Sequence, residues 1–469
     1  GNSLATRYQW KNSVGPVENR PLNENRWNYT FKHKAFPDYF QSYGLGFYEY
    51  FLLSEDLGAE PLPVLSCGLS CQYESNEVVP LGELGPYVQD ALDLIEFANG
   101  AATSKWGKVR ADMGHPEPFG LKMIAIGNEQ WGEVYPERLE VFTKAIRAEY
   151  PDMQIVGSSG PSADGDKFDY LWPEMKRIGV DLVDEHYYTY DGYLFDHNDR
   201  YDRFDRSGAH VFVGEYAATS AGIGTIETKS NIWEAVEEAS YLTGLERNGD
   251  VVDMASYAPT FAKVNAQSWN VNLIWFDSRQ TVLTPSYYVQ MLFANNVGTQ
   301  YVHATFDGGS TVQDGVYQSV TCDPENQVLY IKLVNTSGKD RTVNVQLDGY
   351  KPNAVSVQSL QGKFKSACNE LDSNTTAPTQ TELTPGTDLQ VELSKYQVSV
   401  VRVAYGKNSG ADLYKLPEKA TPTLSDGGKL YLPPATAGIA FGAVFGTAAV
   451  FAAVVLLIHY KKKSRGNNK

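Results

Sequence analysis

Three short apolar runs constrain this chain most: KMIAIGNEQWG over Lys122–Gly132, DLVDEHYYTY over Asp181–Tyr190 and HVFVGEYAA over His210–Ala218. Runs of this kind, with no polar alternation, read as strands covered on both faces, as in a parallel sheet. Each ends in polar or aromatic residues: Gly127-Asn128-Glu129, His186-Tyr187-Tyr188 and Gly214-Glu215-Tyr216. In parallel α/β architectures the reactive groups sit at the C-terminal ends of the strands, so these three ends describe one mouth. Structural glutamates rarely occupy buried strand ends without a cationic partner, which singles out Glu129 and Glu215.

The rest of residues 1–299 alternates strand and helix patterns. Helices are predicted over Phe47–Leu57, Pro86–Ala98, Pro136–Tyr150, Tyr170–Ile178, Ile232–Glu246 and Ser286–Asn295. Strands are predicted over Pro61–Cys67, Gln154–Ser158 and Asp253–Ala258, making six with the three runs above. No Gly-rich phosphate loop follows any strand, and polar strand ends spread over the whole segment. A (β/α)8 barrel therefore fits better than a doubly wound sheet. Residues 300–405 shift to short alternating runs separated by turn signals, the pattern of an antiparallel β-sandwich. Residues 406–435, rich in Gly, Ser, Pro and Lys, read as a stalk.

Two glutamates on different strands are what retaining glycoside hydrolysis requires, one protonated and one ionised, ~5 Å apart. His186, between an acidic pair and two tyrosines, belongs to a polar site, and Tyr188 is placed to donate to a carboxylate. Trp131, Trp269 and Trp275 are candidate sugar platforms, with Gln267 beside Trp269 as a hydrogen-bonding partner. Asp184, Glu185 and Glu133 rank below the two glutamates: Asp184 and Glu185 alternate in direction, so one of them can line the mouth although mid-strand position favours structural contacts, and Glu133 reads as a rim residue.

IGNEQWG, DEHYY, FVGEYAA and MASYAPTF…LIWFDS…TPSYYVQMLFANN, with YQWKNSVGP and LGFYEYFLLSEDLGAEP upstream, resemble the α-L-arabinofuranosidases of glycoside hydrolase family 51 over roughly residues 1–405. The resemblance implies Glu129 as general acid/base, Glu215 as nucleophile and Asn128 as a ligand of the hydroxyl beside the reacting carbon. His186 and Tyr188 match the family's H-x-Y pair, whose tyrosine steadies the nucleophile. Counted from the family, the six strands are the third to the eighth. Family members carry an N-terminal β-rich domain, a first strand and a Pro-Gly-Gly segment on the second, so the chain reads as an N-terminally truncated member. The implied activity is removal of terminal α-L-arabinofuranosyl residues from arabinoxylan, arabinan or glycoconjugates. Spacing and composition alone fit a β-glycanase equally, and a membrane-tethered, non-catalytic glycan-binding protein is the alternative from another class.

The C-terminus places this body in the cell. Residues 436–460 contain 22 consecutive uncharged residues, Ala437–Ile458, spanning ~33 Å as a helix, and the basic tail 461–469 follows at once. The positive-inside rule puts that tail in the cytoplasm, giving a single-pass type I protein whose body faces the exterior or an organelle lumen and whose partner is the bilayer. Gly438, Gly442 and Gly446 form G-x-x-x-G steps that favour a homo-oligomer. Acceptor sequons at Asn28, Asn335 and Asn374 suit the same side. So do four cysteines, with Cys67–Cys71 and Cys322–Cys368 as candidate bridges. The formal net charge is −16 although the tail is basic, which disfavours nucleic acid. No Cys/His quartet has metal-ligand spacing, and no cofactor is expected.

Overall fold

The computed structural model describes residues 3–25, 39–220, 229–266, 271–371, 373–411, 413 and 415–416. The expected membrane span 436–460, the tail 461–469, stalk residues 417–435, Asn28, Gln267 and Trp269 lie outside the described residues. Among the described residues no helix is long and apolar enough to cross a membrane.

Six parallel strands stand in the order in which the chain makes them: β1 (Val64–Leu65), β2 (Met123–Ile126), β3 (Gln154–Ser158), β4 (Leu182–Tyr187), β5 (His210–Tyr216) and β6 (Val252–Tyr257). A doubly wound sheet reverses its strand order part-way. This one never does, which is the winding of a (β/α)8 barrel. Helix α1 (Phe47–Leu57) precedes β1, and α2 (Gly85–Asn99) with α3 (Lys105–Asp112) crosses to β2. Next come α4 (Val134–Glu149) after β2, α5 (Asp166–Ile178) after β3, α6 (Ile232–Arg247) between β5 and β6, and α7 (Pro285–Ala294).

The apolar runs lack polar alternation because both of their faces are covered. Ala125, Val156 and Leu182 fill the barrel interior with Phe212 and Met254. Their neighbours Ile124, Ile126, Ile155 and Val183 pack outward against the helices. Helix ends follow their local chemistry. Asn231 caps α6, its side chain accepting from Trp233 and Glu234 N–H groups at 2.9 and 3.2 Å. Helix α5 begins at Asp166 rather than Tyr170, with Asp166 and Asp169 in its first turn, where the helix dipole favours acids.

Three elements depart from expectation. The strand predicted over Pro61–Cys67 shrinks to Val64–Leu65, since Pro61 and Pro63 have no N–H for a ladder. Helix α3 and a small sheet of β7 (Phe261–Lys263), β8 (Ile274–Phe276) and β9 (Thr281–Leu283) were not foreseen; their runs are too short to show a period.

The β-rich part contains β10 (Val316–Asp323), β11 (Val328–Asn335), β12 (Arg341–Gln346), β13 (Pro352–Gln361), β14 (Thr379–Leu383), β15 (Asp388–Leu393) and β16 (Gln397–Tyr405). One antiparallel sheet runs β10-β11-β16-β13-β14, and β12 pairs with β15 in a second. Leu389, Val391 and Leu393 of β15 meet Leu329, Ile331 and Leu333 across the space between the sheets. The other face of the large sheet, through Val334, Leu360, Val398 and Val400, joins the core of the second half of the barrel. Lys332, fully buried on β11, pairs with Glu246 of α6 at 2.6 Å across this seam.

Candidate active site

The turn after β2 is built around Gly127 and Glu129. Gly127 has φ +84, and a Cβ there would stand 2.8 Å from the Tyr135 ring. Glu129 itself is left-handed, φ 57, which costs a residue with a Cβ roughly 1–2 kcal/mol. Buried Gln130 holds the bend by accepting the Asn128 N–H. The Tyr135 hydroxyl donates to the Ile126 carbonyl at 2.7 Å and accepts from Ser158 N–H at 2.9 Å, tying the ends of β2 and β3.

Strand β4 alternates its side chains across the sheet. Asp184 and His186 point toward the mouth, where they meet each other and Glu129. Glu185 and Tyr187 point outward into a cluster with Trp172, Arg200 and Tyr201. On β5 a register slip sets Glu215, rather than Gly214, opposite His186. Gly214 is what lets Asp184 in: a Cβ there would lie 1.9 Å from Asp184 Oδ1.

The result is a compact constellation. His186 Nδ1 lies 2.8 Å from Glu129 Oε1 and 3.6 Å from Glu215 Oε2, and Nε2 lies 3.1 Å from Asp184 Oδ2. Tyr188 donates to Glu215 Oε2 at 2.9 Å and contacts the Ala258 carbonyl at 3.2 Å. Ligand atoms of Glu129, His186 and Glu215 all lie within 4.8 Å of one another. That separation suits direct attack by a carboxylate on the sugar, without room for an intervening water. The same trio is also the one group among the described residues whose donor atoms could meet on a cation.

Electrostatics follow from burial and neighbours. Burial alone would lower the His186 pKa, but the charges of Asp184 and Glu215, with hydrogen bonds to Asp184 and Glu129, raise it well above the ordinary imidazole range. Both ring nitrogens face carboxylates, so the surroundings favour the imidazolium form, in which both N–H groups donate. Glu215 is pushed up by burial and by the charges of Glu129 and Asp184, and pulled down by His186 and the Tyr188 hydrogen bond. Burial and the Glu215 charge keep the Tyr188 phenol neutral, a donor throughout.

Residues 1–206 match the profile described as "Alpha-L-arabinofuranosidase 1 domain", and residues 214–396 match "Alpha-L-arabinofuranosidase C-terminal domain". The chain is 46% identical over 297 residues to an extracellular exo-alpha-L-arabinofuranosidase of Streptomyces chartreusis, covering 63% of this chain and 34% of that protein. It is 35% identical over 430 residues to alpha-L-arabinofuranosidase 1 of Arabidopsis thaliana, covering 91% and 58%. The arabinose-bound structure of the α-L-arabinofuranosidase MgGH51 superposes with a TM-score of 0.75 at 28% identity, over 87% of this chain and 63% of that one. The chain belongs to the α-L-arabinofuranosidases of glycoside hydrolase family 51. It spans 34% and 58% of the lengths of those two curated relatives.

Of the residues that the sequence singles out, this family 51 chain brings together Glu129, Glu215, His186 and Tyr188. Asn128 is exposed on the same turn as Glu129. Trp131 is half-buried on the rim, with Lys167 Nζ 3.7 Å from its ring centre. Trp275 is corrected as a platform: it is 1% exposed, in a small core with Ala262 and Val282. Glu133 is exposed at the start of α4. Glu185 is structural, as its rank implied. Asp184 is more than a structural contact, because it orients His186; the signal was the two-residue spacing from His186 on a strand.

The cysteine pairings are corrected too, since all four thiols are free. Cys67 is fully buried near Gln130, while Cys322 lies in the β core beside Tyr405 and away from Cys368, which contacts Glu370. Asn335 is corrected as a glycan acceptor. It is fully buried and its Nδ2 donates to the carbonyls of Lys339, Leu393 and Ser394, leaving no path for a sugar. Asn374 is exposed, with Nδ2 at 3.0 Å from the Tyr288 hydroxyl.

Proposed function

We propose that this protein is a retaining exo-α-L-arabinofuranosidase that removes terminal non-reducing arabinofuranosyl residues from arabinoxylan, arabinan or arabinosylated glycoconjugates. The observation that carries the reading is the approach of Glu129 and Glu215 to within 4.8 Å, from the ends of β2 and β5. Glu215 attacks the anomeric carbon while Glu129 protonates the departing oxygen, and a covalent glycosyl-enzyme forms. Glu129 then takes a proton from water, which displaces Glu215. Tyr188 donates to Glu215 Oε2 and the His186 charge stands beside it, and both favour the ionised nucleophile against the effect of burial. His186 donates to Glu129 Oε1, leaving Oε2 to carry the acid proton.

Within this reading the described strands are the third to the eighth of the barrel, and the β part is a sandwich beside it. Ala437–Ile458 anchors the protein in the bilayer, with the acidic body outside the cytoplasm and Asn28 and Asn374 glycosylated. Alkaline extraction of membranes tests the anchor: a protein released by carbonate has none.

The activity is tested with 4-nitrophenyl α-L-arabinofuranoside beside the xyloside and glucoside. Glu215→Ala lowers kcat by about 10⁴-fold or more, and Glu129→Ala by 10²–10⁴-fold on poor leaving groups only, with rescue by azide. Full activity in both variants would remove the assignment. Hydrolysis of the xyloside alone would move the protein to the β-glycanases.

A further inference from the structure

The Glu129 side of the mouth is walled by three successive loops. Tyr73 follows β1, Trp131 follows β2, and Lys167 opens α5 after β3. Gln72 locks the first two together: Trp131 N–H donates to Gln72 Oε1 at 2.8 Å, and Gln72 Nε2 donates to the Trp131 carbonyl at 3.0 Å. The Tyr73 and Trp131 rings are 4.7 Å apart. Lys167 Nζ stands 3.7 Å from the Trp131 ring centre and 3.2 Å from the Tyr73 hydroxyl. The wall borders the acid/base: Trp131 is two residues beyond Glu129, and the charge of Glu129 acts on Cys71, two residues before Tyr73.

Lys167 is out of keeping with its surroundings. The chain carries a net charge of −16, and Asp164, Asp166 and Asp169 flank the lysine in sequence. It occupies the first turn of α5, where the helix dipole disfavours a cation. Lys11, Lys108, Lys122, Lys144 and Lys176 each meet a carboxylate, whereas Lys167, like Lys365 on Trp233, rests on aromatic rings. Among the described residues no carboxylate lies within ion-pair distance of Lys167, whose partners are the two rings and one phenol. Tyr73 is 52% exposed, so part of its side chain stays open to solvent beside the ammonium.

We propose that Tyr73, Trp131 and Lys167 form a subsite for the leaving part of the substrate, and that this subsite selects a pyranose chain bearing a uronic acid. The assignment to the leaving side rests on the arabinofuranosidase reading, in which Glu129 protonates the departing oxygen. The sugar stacks on Tyr73 and its carboxylate meets the ammonium of Lys167.

The test uses calorimetric binding of xylotetraose and of its glucuronic acid-substituted counterpart to the full chain. Wild type binds the acidic ligand about threefold to fivefold more tightly, and Lys167→Gln removes that difference, as for a partly exposed ion pair. Lys167→Glu reverses it, 0.5 M NaCl narrows it in wild type, and Tyr73→Ala weakens both ligands together. Equal binding of the two by wild type, no binding of either, or a preference that survives Lys167→Gln would overturn the subsite. Turnover of 4-nitrophenyl α-L-arabinofuranoside reports on the arabinofuranosidase reading separately.

Discussion

The two faces of β4 carry two ionic clusters built from neighbouring residues. On the outer face Glu185 is fully buried and closed by partners: Arg200 at 3.1 Å, Trp172 Nε1 at 2.8 Å, and the hydroxyls of Tyr187 and Tyr201. One cation balances one anion there. On the inner face a single imidazolium, His186, faces Asp184, Glu129 and Glu215, and Asp184 Oδ1 has no hydrogen-bond partner among the described residues. The outer cluster is neutral and satisfied, so it holds the fold. The inner one keeps surplus negative charge, which under the proposed mechanism lies where an oxocarbenium-like transition state develops positive charge. Burial alone does not separate the two roles; the completeness of pairing does.

That contrast breaks most visibly if Glu185→Ala is harmless. Removing the anion strands Arg200 in the interior, so unfolding free energy falls by about 3–5 kcal/mol in denaturant titrations. Gly214→Ala probes the inner face instead. Its Cβ would meet Asp184 Oδ1 at 1.9 Å, so kcat falls by about 10²-fold as the glutamate pair moves apart.

Asp184→Asn sharpens the electrostatics. Wild-type His186 has a raised folded pKa, so its stability contribution is fully present below the unfolded pKa near 6.5 and is lost as pH rises through the folded one. The variant loses one of the charges that raise it, so the alkaline limb of kcat/KM moves to lower pH, and at any pH on that limb activity falls roughly tenfold per unit of displacement. An unmoved limb would mean that Asp184 does not act through His186. Glu215→Gln, which abolishes turnover under the proposed mechanism, gives the smallest effect on stability. The raised pKa of Glu215 means that wild type loses stability as pH rises through it, so the amide variant is more stable by about 0.5–1 kcal/mol at pH 7. The advantage disappears at acid pH, where wild-type Glu215 is protonated.

Much of this site was legible because the barrel places chemistry at strand ends, and strand ends are visible as apolar runs stopping at Glu129, His186 and Glu215. The direction of each side chain was not. Asp184 and Glu185 are adjacent acids in one run, and only the pleat, with the slip at Gly214, decides which faces the mouth. Trp275 read as a platform because composition cannot tell a core tryptophan from a rim one. Asn335-Thr-Ser satisfies the sequon while its asparagine caps the end of a strand from inside. The cysteine pairings failed for a related reason: Cys322 and Cys368 share a region of sequence, but Cys322 is buried in a strand beside Tyr405 while Cys368 lies in a loop against Glu370.

The seam between α6 and the β part has its own consequence. Lys332 has its pKa lowered by burial and is held charged by Glu246, with Ser319 donating to the same carboxylate. A cut after residue 299 would leave that acid facing nothing and uncover the apolar flank of α6. Barrel and β layers are therefore expected to melt as one block, a single transition by calorimetry, the scaffold beneath Glu215 borrowing its rigidity from strands remote from the mouth.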